Sequence, residues 1–294
     1  MRVSASKPTM HRTSLICAFL ALFLAVPVAQ AQNDEGPIAP PPKFEVKRIP
    51  SVPHPGPPPI PVEELIRRFS ANEDAAKKVY DTYNLLQTVR VEELETGNGK
   101  FTVTGELYTK PDGTRFWRVL KPPVSTLKEI PYSFEDVRTM MSLPLFFLTS
   151  NEISYYDFVY AGQQQLDELN TYVFQVKPKQ PVRGRRFFQG VIFVDDQDVA
   201  IVESFGKFVP EAESEAGETK LPFTLFETFR EHFQDKYWLP TYTSSDDYVK
   251  DPDGNEVHLR FVIRSTDFKL NTPPAPPSLA SPPTDSSASP RTSN

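Results

Sequence analysis

The side chains that most often carry chemistry are few in this chain, and each falls in an unpromising setting. Of the four histidines, His11 and His54 lie in the N-terminal arms, His232 is near a strand end and His258 is on the polar face of a strand. Neither of the last two has a partner at H-x-x-x-H or H-E-x-x-H spacing, so no zinc or other metal site is expected. P-loop, G-x-G-x-x-G and G-x-S-x-G patterns are missing from the sequence. Acidic residues cluster twice. Asp195-Asp196-Gln197-Asp198 lacks the glycine and the alternating ligands of a calcium loop and reads as a solvated hairpin turn. Glu211, Glu213, Glu215 and Glu218 read as a flexible acidic loop, with a carboxylate-pair hydrolase left open as a third reading. No cofactor is expected, and the chain is predicted not to be an enzyme.

Charge narrows the partners. The whole chain is at −6, and residues 62–270 hold 25 Lys and Arg against 34 Asp and Glu. A field of that sign repels phosphate backbones, so no nucleic-acid partner is expected. Arg183, Arg185 and Arg186 around Gly184 are read as a solvated turn.

Proline divides the chain. Of 31 prolines, eleven fall in residues 32–61 and seven in residues 271–294. Before them, Arg2, Lys7 and Arg12 precede an apolar run from Leu15 to Val28 and an Ala29-Gln30-Ala31 site. That is the pattern of a secretory signal peptide, cleaved after Ala31, and its apolar run is too short to span a bilayer. Cys17 lies inside it, so the mature chain would have neither a disulfide nor a thiolate nucleophile, and no transmembrane segment. The expected organisation is a signal peptide over 1–31, a Pro-rich disordered spacer over 32–61, a folded domain over 62–270 and a disordered Pro/Ser/Thr tail over 271–294.

Within the folded block, Val62, Ile66, Phe69, Ala76, Val79, Tyr80 and Tyr83 recur at helical spacing. Ser70-Ala-Asn-Glu73 has the form of a capping box, which predicts two helices or one with a break. The period then changes to two. Phe101, Val103, Gly105 and Leu107 share a face, and Asn98-Gly99 and Asp112-Gly113 flank that strand as hairpin turns. A meander over about 85–96, 100–110 and 114–121 is predicted, ended by Pro122-Pro123. Ser133-Phe-Glu-Asp136 predicts a short second helix carrying Met140 and Met141, followed by the apolar stretch Leu143 to Leu148. Seven further strands are expected at 155–161, 172–177, 187–195, 200–208, 223–233, 237–245 and 257–267. The fold class is therefore α+β: one large, bent antiparallel sheet covered by two or three helices.

Residues 62–270 contain 19 Phe, 11 Tyr and 2 Trp. Most must be core, but a bent sheet under helices can keep a gap lined by Phe, Leu and Met that takes an acyl chain.

Gly105-Glu-Leu-Tyr-Thr-Lys-Pro-Asp-Gly-Thr-Arg-Phe-Trp-Arg-Val-Leu-Lys-Pro122 resembles the G-x-L…K-P…R-F-R-W…P stretch of periplasmic lipoprotein carriers. Tyr156-Asp-Phe-Val-Tyr-Ala-Gly162, Leu166 and Tyr172-Val-Phe-Gln-Val-Lys-Pro178 are similar to their middle strands, and Phe193-Val-Asp-Asp196 with Ile201-Val-Glu-Ser-Phe-Gly206 to the pair that follows. By this resemblance residues 62–270 form an outer-membrane lipoprotein-sorting (LolA/LolB/RseB-like) domain, an unclosed β half-barrel around a hydrophobic cavity. The resemblance implies a periplasmic, non-enzymatic binding protein for a lipid or a lipidated protein, with an envelope sensor or interaction module that docks an envelope protein as the alternative. Arg115 matches the position where the carriers place an arginine tied to cargo handling, although Phe116-Trp117 follows where they have a further basic residue. The expected ligand-lining set is Phe101, Val103, Leu107, Arg115, Trp117, Val119, Met140, Leu145, Phe193 and Phe261.

Overall fold

The computed structural model describes residues 56–95, 98–110, 112, 114–133, 136, 145–180, 182–183, 185–209, 225–251 and 253–271. The expected signal peptide, the expected spacer up to residue 55, Met140, Glu211 to Glu218 and the expected tail beyond residue 271 lie outside them. A helix α1 (Val62–Thr82) is followed by ten strands: β1 (Tyr83–Glu93), β2 (Lys100–Thr109), β3 (Arg115–Ser125), β4 (Tyr156–Leu166), β5 (Leu169–Pro178), β6 (Phe187–Asp195), β7 (Ile201–Val209), β8 (Phe226–Phe233), β9 (Tyr237–Lys250) and β10 (Glu256–Leu270). Among the described residues a 3-10 turn, Ile153–Tyr155, precedes β4.

All ten strands form one antiparallel sheet in the order β3-β2-β1-β10-β9-β8-β7-β6-β5-β4. Its ends, β3 and β4, do not meet, so the sheet stays open. The chain runs from the centre out to one edge, crosses to the far edge between residues 126 and 155, and meanders back until β10 pairs with β1. Irregular register at Asn84/Leu86, Thr102 to Gly105, Tyr160/Gly162, Phe193/Val194 and Phe229/Arg230 marks where extra residues bend the strands.

β3 departs from expectation. It continues through Pro122-Pro123 to Ser125 instead of ending there. Proline lacks a donor and is tolerated where one side of the strand needs no partner, and β3 is an edge strand.

α1 is also one unbroken helix. Ser70 does not cap anything; its hydroxyl donates back to the carbonyl of Arg67 at 3.1 Å. Glu73 is turned inward, 1% exposed, and receives Arg230 of β8 in two hydrogen bonds, Nη1 to Oε1 at 2.5 Å and Nη2 to Oε2 at 3.1 Å. Oε2 also accepts the amide of Leu148 at 3.1 Å, and Arg230 Nη2 donates to the carbonyl of Phe146 at 3.2 Å. The i, i+3 spacing that suggested a helix start here serves a tertiary clamp. Burial pushes the Glu73 carboxyl up, while the Arg230 guanidinium and the Leu148 amide pull it back. A capping box does form at Ser133, whose amide and hydroxyl donate to Asp136 Oδ2 at 2.8 and 2.7 Å while the Asp136 amide donates to Ser133 Oγ at 3.1 Å. The rest of that expected helix lies outside the described residues.

Packing divides the inner face into regions. Leu65 and Phe69 of α1 meet Phe174, Phe188 and Ile192, with Phe146 stacked on Phe188 at 4.1 Å. Ala76 and Tyr80 meet Leu85 and Leu239. Beyond the helix end, Ile130 and Tyr132 of the crossover cover Val89, Phe101, Val103 and Phe261.

Because Glu73 and Arg230 are both buried, removing one charge strands the other. Glu73→Gln is expected to cost about 3–5 kcal/mol of stability. Replacing both residues with methionine should recover most of that loss, as read from urea unfolding midpoints.

Candidate functional site

Between the end of α1 and the Ile130–Tyr132 cover, the inner face is left partly unfilled. A cavity of about 420 Å³ opens there, walled by Tyr80 of α1, Leu107 of β2, Arg115, Phe116 and Trp117 of β3, Leu145 of the crossover, and Gln87, Ile263, Ser265 and Pro240 to Thr243 from β1, β10 and β9. The register explains the grouping. Leu107 stands beside Leu85 and Trp117, Gln87 beside Gly105 and Ser265, and Ile263 beside Val89 and Thr243. Directly paired residues share a face, so these side chains rise together from the floor.

The floor holds a band of uncharged polar groups. Gln87 Nε2 donates to Ser265 Oγ at 3.3 Å, and the hydroxyls of Thr243 and Thr228 lie 3.0 Å apart. Trp117 lies flat over Gly105: a methyl group at that glycine would collide with the indole ring and come within 2.8 Å of the Arg118 carbonyl oxygen. The missing side chain is what lets the indole form a wall.

Arg115 has a structural occupation. Its Nη1 donates to the Tyr80 carbonyl at 2.7 Å and its Nη2 to the Tyr83 carbonyl at 3.4 Å, satisfying acceptors that the end of α1 leaves open. Asp81 lies 3.8 Å away, and the guanidinium sits 4.6 Å over the Tyr80 ring. Burial pulls the Arg115 pKa down, with Tyr80 and Asp81 opposing; burial likewise pushes the Tyr80 hydroxyl up to about 12.

Of the expected lining set, Leu107, Arg115, Trp117 and Leu145 stand in the cavity wall. Phe101, Val103 and Phe261 share the inner face but are sealed in the core beneath Ile130 and Tyr132, with Val119 packed against them. Phe193 is elsewhere: it pairs with Val173 and Glu203 and packs with Leu169, Ala200, Val202 and Trp238. Sequence reasoning missed Tyr80, Gln87, Phe116, Ile263, Ser265 and the β9 stretch Pro240 to Thr243. Tyr80 and Ile263 were visible as members of their apolar stripes; the threonines and Gln87 gave no signal.

The acidic turn is not simply solvated. Asp195 is fully buried, and its Oδ2 accepts the amides of Gln197 and Asp198 at 3.1 and 2.7 Å, while Asp198 Oδ2 accepts the indole N–H of Trp238 at 2.8 Å. His258 lies between Asp246 and Glu95, at 2.6 and 3.0 Å, stacked on Tyr248. Among the described residues no group of three or more His, Cys, Asp or Glu could hold a metal ion, and no helix is long and apolar enough to cross a membrane.

No protein-family model matches the chain, and no curated protein matches it. Solved structures are similar to it. A LolA superfamily protein from Nitrosomonas europaea is 11% identical, with a TM-score of 0.37, covering 73% of this chain and 96% of that one. A DUF1329 family protein from Desulfovibrio piger is 11% identical at a TM-score of 0.33, covering 70% and 94%. An outer membrane lipoprotein-sorting protein domain from Vibrio parahaemolyticus is 12% identical at 0.31, with the same coverage of 70% and 94%.

Gly105→Ala should push the Trp117 indole into the cavity. It is expected to lower stability by about 1–3 kcal/mol and to weaken binding of an apolar fluorophore, both measurable on one purified sample.

Proposed function

We propose that the protein is an exported, non-enzymatic binding protein of the cell envelope that holds a lipid, or the acyl chain of a lipidated partner, against the inner face of its open sheet. The cavity carries this reading. At about 420 Å³ it falls within the range of small-ligand sites, and it combines aromatic and aliphatic walls with a short polar floor, the composition that suits an amphiphile. Burial of several CH₂ groups at about 0.8 kcal/mol each gives reversible capture. The expected lining residues that support it are Leu107, Arg115, Trp117 and Leu145. Phe101, Val103, Val119 and Phe261 pack in the neighbouring core under Ile130 and Tyr132.

A second reading is an envelope interaction module that docks a protein partner. The edge strand β3 favours it, since Phe116, Leu120 and Val124 are 39%, 50% and 66% exposed on a strand with one unpaired side. Cross-linking that captures one protein partner equally before and after lipid extraction would favour this module over the carrier.

Native mass spectrometry of the protein taken from its own compartment tests the carrier directly. The expected spectrum shows a mature chain beginning at Gln32 with a bound lipid mass. A lipid-free chain that also fails to bind a fluorescent fatty acid or its ester would overturn the carrier reading, and an intact Met1 terminus would overturn export by cleavage.

A further inference from the structure

Resting on the reading that the cavity holds an amphiphile, we propose that the part of the ligand reaching its floor is uncharged and offers a hydrogen-bond acceptor: the carbonyl of an acyl ester or amide, in preference to a free carboxylate.

Two donors in the wall point to that chemistry. Thr241 is 5% exposed, and its hydroxyl makes no hydrogen bond. Arg115 Nε is buried and likewise has no partner. A buried donor left unmade is costly, and the great majority find a partner. The neighbouring floor groups bond to one another, Gln87 Nε2 to Ser265 Oγ and Thr243 to Thr228, and the Thr241 hydroxyl bonds to none of them. Arginine can only donate, and a threonine hydroxyl can donate, so a single kind of ligand atom, an acceptor oxygen, answers both.

The electrostatics decide between a neutral and an anionic acceptor. Among the described wall residues Arg115 is the one permanently charged, and its two terminal nitrogens donate to the carbonyls of Tyr80 and Tyr83. A carboxylate entering here would give up its own hydration and meet a guanidinium whose two terminal nitrogens already donate to the Tyr80 and Tyr83 carbonyls. An ester or amide carbonyl takes the same donors without bringing a charge.

The test uses the purified chain and the apolar fluorophore 1-N-phenylnaphthylamine, displaced by dodecanoate or by its glycerol monoester below their micelle-forming concentrations. The ester should displace the probe at a concentration several-fold lower than the acid does. Thr241→Val, nearly equal in volume, should raise the ester's half-displacing concentration by about three- to tenfold and leave that of the acid and the probe's own affinity unchanged. Thr241→Ser, which keeps the hydroxyl, should preserve the preference. Equal or better displacement by the acid, on the unaltered chain alone, overturns the proposal; so does a Thr241→Val chain that folds and keeps the full ester preference. A probe that does not bind the unaltered chain overturns the carrier reading underneath it.

Discussion

The ion pair between Glu73 and Arg230 is the constraint on which the geometry of the site depends. Two charges at 1% exposure are not an obvious route to stability, because desolvation offsets most of their attraction. What the pair supplies is position. It joins the middle of α1 to β8, and through the Leu148 amide and the Phe146 carbonyl it also holds the returning crossover. Tyr80 lies two turns farther along α1, and Leu145 lies just before the clamped residues; both are walls of the cavity. Without the clamp, apolar packing alone would let the helix and crossover slide inward until the gap closed, since hydrophobic contact has no preferred direction.

A sheet of ten strands with bulges could in principle close on itself and fill its own interior. Here the inner face is occupied instead by α1 at one end and by the Leu127–Tyr132 segment at the other. Among the described residues, the side chains that border the space between them leave a cavity of about 420 Å³. Gly105 adds to this: by omitting a side chain it draws the Trp117 ring down onto the strand and away from the opening. The cavity is thus a consequence of where the covers stop.

Much of the architecture could be read from the sequence, because strands with one dry face alternate, as in Val257, Leu259, Phe261 and Ile263, and their turns carry Asn-Gly or Asp-Gly. The failures have definite physical causes. Pro122-Pro123 looked like a stop because nothing local reveals that β3 is an edge. Ser70 and Glu73 looked like a cap because a glutamate reaching across to a residue 157 positions away has the same local spacing as one reaching back. Phe193 was assigned to the cavity on composition, but alternation tells only that two faces exist and leaves open which is the inner one; pairing with Glu203 places it on the other. Thr241 was invisible, since threonine in a strand is ordinary until its surroundings are known to be dry.

Arg115 serves two places at once. The family resemblance singles it out for cargo handling, and it does stand in the wall. Its guanidinium, however, is largely given to the carbonyls at the end of α1, so the helix terminus and the cavity share one side chain. A cation in that position cancels the partial negative charge of the helix end. The wall consequently presents a guanidinium whose terminal nitrogens are taken and whose Nε is left as a donor. In the proposed binding mode an apolar chain with one neutral acceptor would meet both the lining and the donor left open beside it.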